Sequence, residues 1–274
     1  MRADREPWGL FGVPGEVAPG RVRMRDECAG RYPEKYPADV SDLPDLATLH
    51  AMGAAQQPRY ADATAVDAAV ARLRALPPLV FAGECDELTE KPFDVWLLER
   101  IADLAGSNPI VDVGCGPGHL TAFLADTGAQ VSGVDLSPAM IEVAKREFPD
   151  LDFSVGNLFT LLRPRTASGW GAIVAWYSLV HLAGSELAPA VAALARTLAP
   201  GGVVAVALHV GDEVLHVTQL VGQPSDVDAV LHDPHQVLAA FETAGLSAIE
   251  WYRRGPVGRE TKTERLYVLG FLAE

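Results

Sequence analysis

Residues 110–120 read I-V-D-V-G-C-G-P-G-H-L, and this stretch decides the fold. A short apolar run encloses one acidic residue, three glycines alternate through a turn, and a helical pattern follows. A strand, a glycine turn and a helix in this order form a backbone cradle for a ligand at the carboxyl end of a parallel strand. The stretch therefore predicts an α/β domain with its ligand site at this turn.

Downstream of this turn, short apolar runs alternate with longer helical patterns. Strands are predicted at 109–113, 130–134, 151–155, 171–176 and 203–208. Helices are predicted at 119–127, 138–148, 185–198 and 234–244. Strands separated by helices imply right-handed crossovers and a parallel sheet that is covered on both faces.

Two further strands are predicted at 246–253 and 265–271, with a polar stretch between them that lets the last strand run antiparallel. The predicted fold class is α/β, a doubly wound, Rossmann-like sheet of seven mostly parallel strands with an antiparallel edge strand. Residues 85–274 would form this domain, and residues 1–84 would form an irregular and partly helical extension.

The extension differs from the domain in composition. Residues 1–45 are rich in proline, glycine and charged residues, whereas 63–76 has a helical apolar pattern that Pro77 and Pro78 stop.

A further helix is predicted at 89–105, where the domain begins. Thr89 is its expected N-cap, Pro92 lies in its first turn, and Asp94 favours the positive end of the helix dipole. Gly106 is expected to end it.

Charge and cysteine content narrow the class of partner. The formal net charge is −14 over 274 residues, so binding to nucleic acids or anionic membranes gains no counterion release. Cys28, Cys85 and Cys115 show neither a disulfide framework nor zinc spacing, which favours reduced thiols in a cytoplasmic protein. The first residues lack an apolar signal segment. We therefore expect a small-molecule ligand.

The residues around the turn specify which ligand fits. Asp135 ends the second strand, where a carboxylate can accept both hydroxyls of a ribose. After the third strand, Asn157 can reach an adenine edge while Leu158 and Met140 flank the ring. Asp112 would repel a pyrophosphate but attract an ammonium, which with the G-x-G-x-G spacing opposes a nucleotide-dependent oxidoreductase. A ligand with an ammonium, a ribose and an adenine is S-adenosylmethionine (SAM).

Three motifs carry a resemblance to class I SAM-dependent methyltransferases: V-D-V-G-C-G-P-G-H-L, G-V-D-L-S-P-A-M-I-E-V-A-K and L-A-P-G-G. The similarity covers about residues 84–274, and the pieces A-W-Y-S-L-V-H and V-G-D-E-V-L-H resemble a group of small actinobacterial members. The resemblance implies these SAM-binding residues: Asp112, Gly114, Cys115, Gly116, Gly118, Asp135, Leu136, Met140, Asn157, Leu158 and Trp176. The family often has aspartate where Asn157 stands, so a neutral amide would serve there.

Methyl transfer to a hydroxyl or protonated amine also needs a base. Candidates follow strands four and five: Tyr177, His181 and His209, with Asp212, Glu213 and His216 beyond them. His181 is the first choice because an unperturbed imidazole titrates near neutrality. A structural hydrogen bond beneath the cofactor is the alternative for this residue.

Three other features have a simpler interpretation beside a functional one. The spacing His209-x-x-Asp212-Glu213-x-x-His216 could suggest metal ligands, but ordinary loop polarity explains it and no metal is predicted. Asp233 is the expected N-cap of the helix at 234–244. Cys115 has no histidine partner motif, so a small packing residue is preferred over a nucleophile. The stretch Trp251, Tyr252, Arg253 and Arg254 would line an acceptor pocket or form an exposed edge strand.

The extension carries a second resemblance. G-A-A-Q-Q-P-R-Y-A-D at 53–62 and L-R-A-L-P-P-L-V-F-A-G-E at 73–84 resemble a fragment of type II DAHP synthases, within residues 46–84. The metal-site motifs of that family have no counterpart, so synthase activity does not follow. The fragment would be a structural relic, a cap over the active site or a docking element, and the cap is preferred. A homodimer or a protein partner would use this extension.

The sequence thus predicts an enzyme that transfers a methyl group from SAM to a small-molecule acceptor, with O- or N-methylation favoured. In-line displacement would occur over the ends of strands four and five. The fragment associates the acceptor with secondary metabolism. The alternative is a non-catalytic SAM-binding scaffold that docks to a shikimate-pathway or other biosynthetic partner.

Overall fold

The structure, a computed structural model, describes residues 91–220, 223–257 and 260–274. The predictions for residues 1–84, the helix at 63–76, the N-cap Thr89 and the state of Cys28 and Cys85 lie outside these residues.

A seven-stranded sheet forms the centre of the described fold, in the order β3-β2-β1-β4-β5-β9-β8. Its strands are β1 (Ile110–Val113), β2 (Val131–Asp135), β3 (Asp152–Val155), β4 (Trp170–Trp176), β5 (Leu198–His209), β8 (Ser247–Arg254) and β9 (Arg265–Phe271). The first five strands pair in parallel, and β9 runs antiparallel to both β5 and β8. The Rossmann-like fold class is therefore confirmed. The antiparallel strand lies one place inside the edge, because β8 is the edge strand.

Five helices cover the two faces of this sheet. They are α1 (Pro92–Ala105), α2 (His119–Asp126), α3 (Pro138–Glu147), α4 (Gly184–Ala195) and α5 (Pro234–Thr243). Alternate residues of β4 serve the two sides: Ile173 and Ala175 pack in one core with α4 and α5, whereas Ala172 and Val174 pack with α1 and α2. None of the helices in the described ranges is long and apolar enough to cross a membrane.

Local capping signals set where several helices begin and end. The Ser137 hydroxyl accepts a bond from the Met140 N–H at the start of α3, and Asp233 accepts one from the His235 N–H at the start of α5. The predicted role of Asp233 is therefore confirmed. Helix α1 begins at Pro92 with Lys91 as its N-cap residue, later than the expected N-cap Thr89, and it ends before Gly106 as predicted.

The stretch after β5 differs from its prediction as a polar loop. It forms an antiparallel hairpin of β6 (Val214–Leu220) and β7 (Gln223–Val230), which pair with each other as a separate two-stranded sheet. Strand β5 is also longer than predicted and reaches His209. The backbone N–H of His232 donates to the His209 carbonyl at 2.8 Å, which ties the end of the hairpin to the end of β5.

Candidate active site

The glycine turn lies at the carboxyl end of β1, where the amides of Gly114 and Cys115 donate to the Val134 carbonyl of β2. Gly114 has a φ of +74°, and a Cβ at this position would lie 2.3 Å from the Cβ of Ser178. Gly116 also has a positive φ, but a Cβ there would enter open space. The loop is thus closed on the β4 side and open above Gly116, as a backbone cradle requires.

Asp112 lies in β1 beneath this loop, with 1% of its surface exposed. The Thr121 hydroxyl of α2 donates to its carboxylate at 2.7 Å. Burial raises the pKa of Asp112 to about 7, the bond from Thr121 counters part of this rise, and the charge of Asp135 adds to it. A positive group bound nearby would stabilise the charged form of this carboxylate.

Asp135 ends β2 and holds the loop from the other side. Its two oxygens accept bonds from the amides of Gly116 at 2.9 Å and Ser137 at 2.8 Å. Burial raises the pKa of Asp135, and these backbone donors and the nearby His181 offset part of the rise. Because each carboxylate oxygen has a second lone pair, the group can also accept bonds from a ligand hydroxyl.

The residues predicted to flank and read an adenine come together around the ends of β2 and β3. Met140 is buried in the first turn of α3, and Leu136 and Leu158 are partly buried. The amide oxygen of Asn157 accepts from the Phe159 N–H at 3.0 Å and caps a short 3₁₀ helix, Leu158–Thr160. The Asn157 side chain thus keeps its NH₂ group for other partners.

Cys115 points into the protein core. Its sulfur lies against Phe153, and both pack with Ile141 and Ala144. Burial, followed by the charges of Asp112 and Asp135, raises the pKa of the thiol. A neutral, buried thiol is a poor nucleophile, consistent with a packing role.

Trp176, Tyr177 and His209 meet at the carboxyl ends of β4 and β5. The Tyr177 ring stacks on the His209 ring with centroids 5.0 Å apart. Burial, followed by the charge of Asp94, raises the pKa of Tyr177, so the phenol stays protonated at neutral pH. Burial and then Arg265 lower the pKa of His209 to about 4, which leaves a neutral and weakly basic imidazole. Of the two, His209 is the group able to accept a proton.

His181 lies apart from this pair, on the side of Asp135. It ends the 3₁₀ helix Leu179–His181, and its Nδ1 lies 3.2 Å from the Asp228 carbonyl oxygen of β7. The structural hydrogen bond that was the alternative for His181 is therefore present. The same bond links the hairpin to the cofactor side of the site.

Sequence reasoning missed a cluster of buried charges behind Trp176 and Tyr177. Arg254 bonds to Asp94 at 2.6 Å and forms a two-pronged pair with Glu260 at 2.6 and 2.8 Å. Tyr267 donates to Asp94, and Arg265 lies 3.4 Å from Glu260. Asp94 therefore lies in the first turn of α1, as expected, and is in addition a buried ion-pair partner, which was not predicted. The run of polar residues between β8 and β9 was the available signal, but nothing in it pointed to burial.

The stretch from Trp251 to Arg254 lies on the edge strand β8, as one of the two alternatives expects, but its side chains are partly or fully buried rather than exposed. Arg254 is buried in the charge cluster, whereas Arg253 pairs with Glu264 at the partly exposed edge. The Tyr252 hydroxyl donates to Glu250 at 3.1 Å, and burial raises its pKa to about 12. Among the described residues, no three acidic, histidine or cysteine side chains are arranged to hold a metal ion. The metal-like spacing from His209 to His216 stays untested, because the side chain of His216 lies outside the described part of the structure.

Comparison with known sequences finds a match in the region that contains the glycine turn. Residues 110–202 match the family described as "Methyltransferase domain". A trans-aconitate 2-methyltransferase from Paracidovorax citrulli is 35% identical over 112 residues, 40% of this chain and 42% of that protein. A ubiquinone biosynthesis O-methyltransferase from Xanthomonas oryzae pv. oryzae is 35% identical over 104 residues, 36% of this chain and 42% of that protein. The chain thus spans about two fifths of the length of these curated relatives.

Solved structures share the fold. A SAM-dependent methyltransferase from Methanosarcina mazei aligns with a TM-score of 0.53 at 16% identity, covering 61% of this chain and 94% of that one. The magnesium protoporphyrin IX methyltransferase from Synechocystis PCC 6803, with bound SAM, aligns with a TM-score of 0.52 at 16% identity, covering 80% and 96%. At these identities the likeness concerns the fold, and the resemblance of residues 46–84 to DAHP synthases stays a prediction. Across residues 110–202, which hold the glycine turn and both site carboxylates, the chain is similar to a methyltransferase domain.

Proposed function

We propose that this protein is a SAM-dependent methyltransferase that acts on a small molecule. The observation that carries the proposal is the grouping of two carboxylates, Asp112 and Asp135, around the open glycine turn. Asp112 provides a negative charge for an ammonium, and Asp135 provides lone pairs for a ribose. The matched domain over residues 110–202 supports the same conclusion.

The geometry of the turn fits this cofactor. Open space lies above Gly116, so a ligand can approach the backbone closely there. The buried Ser178 hydroxyl faces Gly114 and finds no hydrogen-bond partner among the described residues. A buried donor without a partner costs stability, so a ligand group that accepts its proton would be favoured. We assign cofactor binding to these residues: Asp112, Gly114, Cys115, Gly116, Gly118, Asp135, Leu136, Met140, Asn157, Leu158 and Trp176.

The cofactor supplies an activated methyl group, so the protein mainly positions the acceptor and receives its proton. Trp176, Tyr177 and His209 form the wall at the ends of β4 and β5 on which an acceptor would rest. We propose that His209 accepts the proton that the acceptor releases. We propose that His181 holds the β6–β7 hairpin in place. Tyr177 contacts the acceptor as a neutral phenol.

A hydroxyl or amine on a small metabolite is the proposed acceptor. The net negative charge of the chain disfavours a nucleic acid as the acceptor. A role of the acceptor in secondary metabolism is also part of the proposal. Curated relatives include methyltransferases named for trans-aconitate, for ubiquinone biosynthesis and for malonyl-[acyl-carrier protein]. Residues 85–274 are proposed as the catalytic domain, and residues 1–84 as a cap or docking element.

Titration calorimetry with SAM and with NAD tests this function. SAM should bind and NAD should not; tight NAD binding without SAM binding would contradict the proposal. A metabolite screen that follows release of S-adenosylhomocysteine then identifies the acceptor. Binding of SAM without turnover of any metabolite would instead favour the non-catalytic scaffold.

A further inference from the structure

Asp94 receives more hydrogen bonds than its place in the first turn of α1 would suggest. Its carboxylate accepts from the Arg254 guanidinium at 2.6 Å, from the Tyr267 hydroxyl at 3.0 and 3.1 Å, and from the Trp176 indole N–H at 3.2 Å. Asp94 and Tyr267 have no exposed surface. An ion-paired carboxylate has no proton to give, so all three bonds run towards Asp94.

This arrangement fixes the direction of the next bond. Tyr267 has one hydroxyl proton, and its bond to Asp94 uses it. The hydroxyls of Tyr177 and Tyr267 lie 3.1 Å apart, and either could be the donor by distance alone. Because the Tyr267 proton is engaged, Tyr177 must be the donor. The Tyr177 oxygen can then offer only a lone pair to any other group.

The position of Tyr177 would let this lone pair contact a ligand of the site. It directly follows β4, has a φ of +53°, and keeps part of its surface exposed. Its ring stacks on His209, and the next residue, Ser178, touches the glycine turn at Gly114. Tyr177 therefore lies between the cofactor loop and the end of β5. A non-glycine residue in this backbone region carries strain, which the buried bonds of its side chain offset.

We propose that Asp94 is a positioning residue that, through Tyr267, holds the Tyr177 hydroxyl with its lone pair towards the methyl acceptor. The acceptor is therefore a molecule that presents an O–H or N–H donor to Tyr177, rather than a carboxylate. A carboxylate would meet a second lone pair at this point and lose a hydrogen bond that it makes in water. This inference rests on the proposed methyltransferase function and specifies its substrate class.

The direction of the hydrogen bonds from Tyr177 to Tyr267 and from Tyr267 to Asp94 is measured on the ligand-free protein. Tyrosine labelled with ¹³C at the ζ carbon allows the hydroxyl protons of buried tyrosines to be assigned by NMR, with Tyr177→Phe and Tyr267→Phe as assignment variants. The expected result is a slowly exchanging Tyr177 proton that is directed at Tyr267, and a Tyr267 proton directed at Asp94. A Tyr267 proton directed at Tyr177, or a Tyr177 proton that exchanges freely with water, would overturn the proposal.

Variants test whether Tyr267 is the group that holds the Tyr177 hydroxyl proton. In Tyr267→Phe the exchange rate of the Tyr177 hydroxyl proton should rise at least about tenfold, because its acceptor is gone. The matched control is Tyr252→Phe, which removes a hydroxyl from the residue paired with Tyr267 on β8 and should leave that rate unchanged. Equal rates in the wild type and Tyr267→Phe would overturn the role of Tyr267.

The substrate class is tested with phenol and benzoate as probes on the protein loaded with S-adenosylhomocysteine, by saturation-transfer NMR. Phenol should contact the Tyr177 ring and bind more tightly than benzoate. Tyr267→Phe, whose Tyr177 proton is free to donate, should shift the affinity ratio towards benzoate by at least about threefold. An unchanged ratio, or no contact of phenol with Tyr177, would overturn the inference. If S-adenosylhomocysteine bound neither the wild type nor any variant, the proposed methyltransferase function would be wrong. The directions of the tyrosine hydroxyl bonds are measured without ligand, so that result would leave them unaffected.

Discussion

The two sides of the candidate site are built differently. The cofactor side, at the ends of β1 to β3, uses backbone amides, glycines and two carboxylates that lie between residues 112 and 135 of the chain. The acceptor side, at the ends of β4, β5, β8 and β9, uses side chains such as Asp94 and Tyr267, which are 173 residues apart. A local motif can therefore indicate the proposed cofactor, whereas only the folded topology assembles the wall that we propose faces the acceptor.

The largest expected effect concerns the stability of the acceptor side. Arg254→Met leaves Asp94 and Glu260 buried without their main cation, and removing one partner of a buried ion pair costs about 3–5 kcal/mol. Denaturant unfolding measures this loss.

A matched control joins helix α1 to β8, the strand that also carries Arg254. Arg100 pairs with Glu250 at 2.8 Å, but about a quarter of each side chain is exposed. Solvent screening therefore limits the loss in Arg100→Met to about 1 kcal/mol or less. Equal losses in Arg254→Met and Arg100→Met would show that the buried cluster does not hold the acceptor side together.

The next effect concerns the cofactor side and leaves the charge cluster intact. Gly114→Ala would place a Cβ 2.3 Å from Ser178 at a positive φ, so the turn must move. SAM affinity should fall at least about 100-fold, which corresponds to about 2.7 kcal/mol. Gly116→Ala meets open space and carries only the backbone cost, about 1 kcal/mol. Calorimetry on both variants distinguishes them, and similar losses would contradict the described shape of the turn.

The two sides should also differ in how their stability depends on pH. The pKa of Asp112 rises on folding from 3.8 to about 7, so its folded form keeps a proton that the unfolded chain has lost. This carboxyl therefore stabilises the fold at low pH, and the contribution falls by up to about 1.4 kcal/mol per pH unit between about pH 4 and 7. Relative to Asp112→Asn, the wild type should lose stability across this window in urea titrations.

His209 should make the stability of the fold rise with pH, which is opposite to the effect of Asp112. Its pKa falls on folding from 6.5 to about 4, so the unfolded chain binds a proton that the folded one does not. Relative to His209→Asn, the wild type should gain up to about 1.4 kcal/mol per pH unit between about pH 4 and 6.5. Parallel slopes for the Asp112 and His209 pairs would contradict the separate environments of the two sides.

The smallest expected effect concerns Cys115. Cys115→Ala removes a buried sulfur beside Phe153 and should cost about 1 kcal/mol in stability. SAM affinity and turnover should stay near the wild-type values, because the proposed contact of Cys115 with SAM uses its backbone. In the wild type, thiol reagents should label Cys115 itself only on unfolding, as measured by mass spectrometry of the peptide that contains it. A variant with normal SAM affinity but no turnover would assign the thiol to the chemistry.

The sequence predicted the sheet and the position of the glycine turn beside Asp112 and Asp135, because both depend on short-range signals. Alternating apolar runs, the glycines of the turn and the acid that ends β2 lie close together in the chain, so they could be interpreted without long-range contacts. The interior place of β9 was not predicted, because the order of strands depends on which edges pair. The hairpin was not predicted, because the histidine and acidic residues in 209–216 give this stretch the polarity of an ordinary loop.

The acceptor side was the least predictable region. Asp94 was interpreted as a helix-dipole charge because its partners, Tyr267 and Arg254, lie at the far end of the chain. Tyr177 and His209 were named as bases from their position after strands. The stacking of their rings and the opposite pKa shifts arise from burial, which a sequence does not give directly.

Calorimetric titration of SAM into the wild type and Asp135→Ala tests the central claim most directly. Loss of a charge-assisted bond to a ribose hydroxyl should weaken binding by about 10- to 100-fold. Asp152→Ala, at an exposed carboxylate on the adjacent strand β3, is the control and should bind as the wild type does. Thermal unfolding confirms that the variants fold. Wild-type affinity in a folded Asp135→Ala, or no SAM binding by the wild type, would contradict the account.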